Sequence, residues 1–86
     1  MSALVKIYTT KFCPYCIRAR LLLKDKGIEY QDISVDEDIV QMQEMVRLSG
    51  RHTVPQIWIG ERHINSYTDL RALESAGELD ALLAVE

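Results

Sequence analysis

The chain has 86 residues, and its hydrophobic fraction of 48% fits one small folded domain rather than a disordered segment. A formal net charge of −3 argues against nucleic-acid binding, and no apolar run approaches the ~20 residues that span a bilayer. The first residues lack the basic region, apolar run and cleavage site of a signal peptide. We therefore expect a single domain over residues 1–86 in the cytoplasm, a soluble and reducing compartment.

Hydrophobic patterning predicts a βαβ unit in the first half of the chain. Residues 4–9 form a nearly continuous β-prone run, which is typical of a central strand. The helical pattern of residues 17–26 follows, with Pro14 in its first turn and Gly27 suited to end it. Residues 28–35 predict a second strand, which is expected to lie parallel to the first with a right-handed crossover.

The second half predicts a helix, a β-hairpin and a further helix. Asp36 is the expected cap of the first of these helices, and Gly50 ends it. Its inner face is expected to hold Ile39, Met42 or Gln43, and Val46. Residues 56–59 and 62–64 predict the hairpin, and residues 68–86 predict the last helix. The order β-α-β-α-β-β-α predicts an α/β fold, a four-stranded mixed sheet with helices on both faces.

The only two cysteines, Cys13 and Cys16, are separated by two residues, where the first strand meets the first helix. Such a C-x-x-C pair is typical of thiol–disulfide exchange. A bridge within so small a loop contributes only about 2 kcal/mol, so a structural staple is a poor explanation. An inert buried pair or a zinc half-site would also give this spacing. Zinc normally needs four ligands, and only His52 and His63 remain to complete the set.

Four segments together resemble the glutaredoxin family, in its dithiol class of small bacterial members. They are residues 13–16 (CPYC), 17–20 (IRAR), 53–57 (TVPQI) and 67–69 (YTD). The resemblance covers nearly the whole chain and implies the thioredoxin-like fold. It also implies a glutathione-dependent enzyme that reduces protein–glutathione mixed disulfides and protein disulfides.

The resemblance separates the roles of the two cysteines. Cys13 lies at the N-terminal edge of a helix, where free N–H groups and the helix dipole favour a thiolate nucleophile. Cys16 lies one turn further on and is expected to be buried, protonated and the resolving thiol. Tyr15 is expected to present its ring and hydroxyl beside the reactive sulfur.

A glutathione site is also implied by the resemblance. Pro55 is expected to be a cis-proline that leaves Val54 free to pair with the cysteine moiety of glutathione. The start of the last helix is expected to hold the γ-glutamyl end. The full set expected to contact glutathione is Lys11, Tyr15, Arg51, Thr53, Val54, Pro55, Gln56, Thr68 and Asp69. Of these, Lys11, Arg51 and Gln56 are the candidates for its glycine carboxylate.

Two features depart from the family pattern. Asn65-Ser66 occupies the place of a usual Gly-Gly pair, which would permit unusual backbone angles and close approach of a ligand. Either the loop is remodelled or the glutathione site is altered. A further alternative is that the Asn65 and Ser66 side chains add hydrogen bonds of their own. The basic residue that many members carry three positions before the first cysteine is Thr10 here, and Lys11 lies one residue later.

Two different functions would keep the fold. One is an iron–sulfur carrier, in which two protomers each give Cys13 and two glutathiones complete the ligand set. Pro14 and Tyr15 argue against it, since the bulky Tyr15 crowds a shared cluster. The other is an electron donor to ribonucleotide reductase that is fed by thioredoxin reductase. We expect a monomer with glutathione as cosubstrate, disulfide-containing or glutathionylated proteins as partners, and no metal, nucleic acid or membrane.

Overall fold

The computed structural model describes residues 4–84. Their helices and strands are β1 (Val5–Thr9), α1 (Pro14–Asp25), β2 (Gln31–Ser34), α2 (Ile39–Ser49), β3 (Gln56–Ile59), β4 (Arg62–Ile64), α3 (Tyr67–Ser75) and α4 (Leu79–Leu83). The strand order is β2-β1-β3-β4. β1 is parallel to β2 and antiparallel to β3, and β4 is antiparallel to β3. The predicted four-stranded mixed sheet is confirmed.

Hydrophobic side chains pack on both faces of this sheet, because successive residues of a strand point to opposite faces. The larger cluster contains Val5, Ile7, Ala19, Leu23, Ile57, Ile59, Ile64, Leu70, Leu79 and Leu83. The smaller one contains Tyr8, Val35 and Met45, with Trp58 packed against it. The helices α1, α3 and α4 therefore cover one face and α2 covers the other, as predicted.

The second strand is shorter than predicted. Residues 28–30 lie outside it, and β2 begins at Gln31. The Ile28 N–H donates to the Leu23 carbonyl oxygen at 3.0 Å, and Gly27 has φ +71°. These two features form a helix C-terminal cap, so Ile28 completes α1 instead of joining the sheet.

The prediction that Asp36 caps the second helix is wrong. Asp38 is the cap, and its carboxylate accepts from the Val40 and Gln41 N–H groups at 3.1 and 3.2 Å. The carboxylate of Asp36 accepts instead from the Lys11 N–H at 3.0 Å. Asp36 therefore ties the loop before α1 to the loop before α2.

The inner face of α2 also differs in part from the prediction. Ile39 is 68% exposed, whereas Met45 is fully buried. Met42 and Val46 pack beside Met45 against the sheet, as an i, i+3, i+4 stripe. The placement of Ile39 on this face is therefore wrong, and the stripe begins at Met42.

The C-terminal helical region is divided in two. Gly77 has φ +74°, and the Glu78 N–H donates to the Leu73 carbonyl oxygen at 2.9 Å, which ends α3. The Lys26 ammonium binds Glu74 at 2.9 Å and Asp80 at 2.7 Å, so it fixes the end of α1 to both α3 and α4. Residues 85 and 86 of the predicted helix lie outside the described residues. Across residues 4–84, no helix has both the length and the apolar character that a bilayer crossing requires.

Candidate active site

Cys13 is the N-cap residue of α1, at the end of the loop that leaves β1. Its Sγ accepts a hydrogen bond from the Cys16 backbone N–H at 3.4 Å, and Pro14 occupies the first helical position. The first turn of α1 carries no acidic side chain. The Cys13 sulfur therefore faces the positive end of a helix with no carboxylate from that turn to oppose an anion.

Cys16 has a very different environment, although it belongs to the same turn. Its side chain is fully buried, and both cysteines are free thiols. Burial raises the pKa of Cys16 to about 12, and the neighbouring Cys13 contributes in the same direction. Cys16 is therefore protonated at neutral pH, whereas Cys13 is partly exposed.

The loop before β3 faces the Cys13 sulfur. The Val54–Pro55 peptide bond is cis, as predicted. The Cys13 thiol donates to the Val54 carbonyl oxygen, with 3.9 Å between the sulfur and the oxygen. The backbone that follows α2 and the start of α1 thus form one surface around the sulfur of the partly exposed Cys13.

A cavity of about 180 Å³ begins at this surface. It is lined by Tyr15, Thr53, Val54, Pro55, Asn65, Ser66, Tyr67 and Thr68. The Tyr15 and Tyr67 rings lie 6.4 Å apart between centroids, and the Arg18 guanidinium lies over the Tyr15 ring at 5.4 Å. The structure thus brings the predicted Tyr15, residues 53–55 and Thr68 to one cavity beside Cys13.

A larger cleft of about 480 Å³ lies between β4 and α3. Its lining includes Asn65 and the predicted Asp69, and neither cysteine lines either cavity. The smaller cavity is the better candidate site, because it contains Val54, whose carbonyl oxygen contacts the Cys13 sulfur.

Gln56 lies behind the cavity and is fully buried. Its amide nitrogen donates to the Thr53 carbonyl oxygen at 3.0 Å and to Asn65 Oδ1 at 3.1 Å, and its Oε1 pairs with His63 Nε2 at 2.6 Å. Both amide hydrogens are thus already used within the protein. The expectation that Gln56 binds the glycine carboxylate is corrected: Gln56 joins the two loops that line the cavity.

His63 completes this buried network. Its ring stacks on Trp58 at 4.6 Å between centroids. Burial lowers the pKa of His63, and the positive charge of Arg51 lowers it further. At neutral pH the ring is therefore uncharged, and its Nε2–H donates to Gln56.

A zinc site would require Cys13, Cys16, His52 and His63 to converge. Within residues 4–84, no three or more His, Cys, Asp or Glu side chains are placed to hold a metal ion. His63 is engaged with Gln56, and His52 is exposed in the loop before β3. The four side chains are thus not assembled into one site.

The two cations predicted to bind glutathione, Lys11 and Arg51, have different environments. Lys11 Nζ pairs with a Glu37 carboxylate oxygen at 2.6 Å, on the exposed side of the loop before α2. Lys11 is therefore engaged away from the residues that line the cavity. Arg51 is exposed, and its positive charge acts on His63 by lowering the pKa of that ring.

The start of α3 forms the far wall of the cavity. Ser66 is the N-cap of α3, and its Oγ accepts from the Asp69 N–H at 3.1 Å. Among residues 4–84, only glycines have positive φ, so Asn65 and Ser66 have ordinary backbone conformations. The sequence carries a signal for this cap that the predictions above did not use, because a serine three residues before an acidic residue is a known helix-start signal.

Comparison with known proteins agrees with this geometry. The glutaredoxin family model matches residues 5–64, and a glutaredoxin from Pseudomonas aeruginosa is 55% identical over 80 residues, which cover 93% of this chain and 95% of that protein. The chain belongs to the glutaredoxin family. Glutaredoxin 3 from Escherichia coli K12 is 48% identical over 79 residues, which cover 92% of this glutaredoxin and 95% of that one.

Solved structures support the same fold for this glutaredoxin. The solution structure of glutaredoxin from Brucella melitensis has a TM-score of 0.83 at 46% identity and covers 95% of this chain and 89% of that chain. A buckwheat glutaredoxin–glutathione complex has a TM-score of 0.85 at 25% identity and covers 94% of this chain and 76% of that one. The protein is thus a thiol–disulfide oxidoreductase of the thioredoxin-like fold.

Proposed function

We propose that this glutaredoxin uses glutathione to reduce protein–glutathione mixed disulfides through Cys13, and protein disulfides through Cys13 and Cys16. The contrast between the two thiols carries the proposal. Cys13 is partly exposed at a helix N-terminus beside a cavity, and Cys16 is buried and protonated. Deglutathionylation needs one accessible thiolate, and reduction of a protein disulfide also needs a second thiol held in reserve.

The first half-reaction transfers glutathione to the enzyme. The Cys13 thiolate attacks the glutathione sulfur of a mixed disulfide, and a new S–S bond forms as the old one breaks. The target protein leaves as a thiolate and takes up a proton. A second glutathione thiolate then attacks the enzyme-bound glutathione sulfur, which releases glutathione disulfide and regenerates the Cys13 thiolate.

Protein disulfides require the second cysteine. Cys13 attacks the target disulfide and forms a mixed disulfide with one of its sulfurs. Cys16 loses its proton and attacks the Cys13 sulfur, and the target leaves with both its cysteines reduced. Two glutathione molecules then reduce the Cys13–Cys16 bridge and become glutathione disulfide, so the electrons balance.

The cavity beside Cys13 is our proposed glutathione site. The Val54 backbone pairs with the cysteine moiety, which brings the glutathione sulfur to Cys13. The first N–H groups of α3, at Thr68 and Asp69, suit the γ-glutamyl carboxylate, and the Asp69 side chain suits its ammonium. Tyr15 and Thr53 line the cavity between these ends.

Arg51 is the remaining candidate for the glycine carboxylate, because Lys11 is paired with Glu37 and the Gln56 amide is used internally. The glutathione-bound buckwheat relative supports this choice of cosubstrate. A reaction driven by reduced glutathione fits a reducing compartment, and we place the protein in the cytoplasm.

Turnover of a glutathionylated peptide by two single-cysteine variants tests this function. With glutathione, glutathione reductase and NADPH, Cys13→Ser is expected to lose activity and Cys16→Ser to retain it. Activity retained without Cys13 would contradict the mechanism. Replacing glutathione and its reductase by thioredoxin reductase separates the two candidate reductants, and faster turnover with thioredoxin reductase would contradict glutathione dependence.

A further inference from the structure

The Ser66 hydroxyl is hydrogen-bonded to the Asp69 N–H, which is one of the backbone donors in the proposed glutathione site. Ser66 Oγ accepts from the Asp69 N–H at 3.1 Å, and Ser66 lines the cavity beside Cys13. The N–H groups at the start of a helix are its anion-binding donors because they have no partner within the helix. At α3, one of these donors already has a neutral partner.

The loop that carries Ser66 is fixed from behind. Asn65, its neighbour, accepts from the Gln56 amide at 3.1 Å, and Gln56 is fully buried and also bound to Thr53 and His63. Moving the loop away from Asp69 would break contacts in this buried network. Release of the Asp69 N–H is therefore expected to occur by rotation of the Ser66 side chain, which breaks only the cap hydrogen bond.

We propose that Ser66 lowers the affinity of this glutaredoxin for glutathione by competing with the γ-glutamyl carboxylate for the Asp69 N–H. This inference rests on the proposed function. The carboxylate binds only after the hydroxyl has released its hydrogen bond, so the cost of that bond is subtracted from the binding free energy. Ser66 is thus a specificity-determining residue of the cavity, and it affects binding of glutathione rather than the chemistry at Cys13.

Calorimetric titration with S-methylglutathione tests this inference, because this thioether cannot react with Cys13. Ser66→Ala removes the hydroxyl, and its dissociation constant is expected to fall by about two- to tenfold, the equivalent of one net hydrogen bond. Ser66→Thr keeps a capping hydroxyl and is expected to bind as the unmodified protein does. Ser66→Gly, a residue well tolerated at an N-cap, serves as a second variant without the hydroxyl.

A truncated ligand locates the effect. S-methylcysteinylglycine lacks the γ-glutamyl group, so Ser66→Ala is expected to leave its affinity unchanged. In turnover assays the same variant is expected to lower the KM for the glutathionylated peptide, whose glutathione moiety occupies the cavity, and to leave kcat near its original value. Asp38→Ala removes the corresponding cap of α2, away from the cavity, and controls for the loss of a helix cap alone.

Several outcomes would overturn the role of Ser66. Unchanged or weaker binding of S-methylglutathione by both Ser66→Ala and Ser66→Gly would show that the hydroxyl is neutral or helps the ligand. Equal tightening with the truncated ligand, or with Asp38→Ala, would show a general effect on the fold. If the unmodified protein reduces the glutathionylated peptide through Cys13 but both Ser66 variants bind S-methylglutathione with unchanged affinity, this inference fails and the proposed function remains. If the unmodified protein does not bind glutathione, both fail.

Discussion

The two helices that begin at the cavity, α1 and α3, have the same kind of side-chain N-cap, formed by a sulfur in α1 and by a hydroxyl oxygen in α3. In α1 the Cys13 sulfur accepts from the N–H three residues later, at Cys16, over 3.4 Å. In α3 the Ser66 oxygen accepts from the N–H three residues later, at Asp69, over 3.1 Å. Both side chains are N-caps, but the first is a nucleophile and the second is an unreactive hydroxyl.

This comparison shows that an N-cap does more than stabilise a helix when it faces a binding site. At α1 the Cys16 N–H that caps the helix through the Cys13 sulfur also stabilises the Cys13 thiolate, so capping and reactivity support each other. At α3 the N–H is one that an incoming carboxylate needs, so capping opposes binding. At α2, Asp38 caps away from the cavity and affects stability alone. Substitutions at each of these helix starts can separate the three cases.

Replacing Cys13 is expected to have the largest effect, and it separates the two roles of the α1 cap. Cys13→Ser and Cys13→Ala both remove the nucleophile, so deglutathionylation is expected to fall to the uncatalysed background in both. Serine is a favoured N-cap and alanine is not, so Cys13→Ala is expected to be less stable than Cys13→Ser by about 0.5–2 kcal/mol. Urea unfolding of the two variants measures this difference.

Equal stability of these two variants would contradict the capping role that we assign to position 13. Ser66→Ala and Ser66→Thr form the matched pair at α3. They are expected to differ in stability by a similar amount, about 1 kcal/mol, while both remain active.

The two thiols of the C-x-x-C motif are expected to differ strongly in reactivity. Because burial raises the pKa of Cys16 to about 12, its thiolate fraction at pH 7.5 is about 10³-fold below that of an ordinary cysteine. Iodoacetamide is expected to modify one cysteine per native molecule, Cys13, and both in urea. Mass spectrometry of digested protein identifies the site. Rapid labelling of Cys16 in the native protein would contradict its burial.

The raised pKa of Cys16 is also expected to make the stability of the protein depend on pH. The folded protein holds the Cys16 proton more tightly than the unfolded chain, so this contribution is fully present below about pH 9, the ordinary value for the group. It is lost progressively as the pH rises toward about 12. Unfolding at pH 8 and pH 10.5 is expected to show a smaller loss of stability for Cys16→Ser than for the reduced parent. Equal losses would contradict the link.

Replacing Gln56 is expected to have a moderate effect on both loops that line the cavity. Gln56→Leu fills a similar volume but leaves buried groups on Asn65 and His63 without their partner. The unfolding free energy is expected to fall by about 1–3 kcal/mol. The rate of Cys13 alkylation is expected to change as well, because Gln56 holds the Thr53 carbonyl and the next residue, Val54, contacts the Cys13 sulfur. An unchanged alkylation rate would show that the Val54 contact does not depend on this network.

Features that depend on neighbouring residues could be predicted from the sequence. Residues 56–59 and 62–64 have the bounds that alternation predicted, and Pro55 is cis as the family resemblance implied. Cys16 is buried as expected.

Side-chain contacts between residues that are far apart in the chain could not be predicted from the sequence. The Lys11–Glu37 pair spans 26 positions, and competition among Asp36, Glu37 and Asp38 for the helix cap depends on where Lys11 lies. The Gln56 amide has several possible partners, and only the folded loops show that it faces inward. Ser66 had a usable cap signal, but the sequence alone did not show which backbone N–H its hydroxyl would bind.

The smallest expected effect concerns Lys11, which lies near the reactive motif in the sequence but binds Glu37 in the structure. The pair is exposed on both sides, with side chains 53% and 71% accessible, so Glu37→Gln is expected to cost less than about 1 kcal/mol. If Lys11 takes no part in the site, neither Glu37→Gln nor Lys11→Met changes the KM for the glutathionylated peptide by more than about twofold. Arg51→Met, by contrast, is expected to raise it. A KM that rises with Lys11→Met and falls with Glu37→Gln would show that Glu37 holds Lys11 away from the glycine carboxylate, as Ser66 holds the Asp69 N–H at the other end.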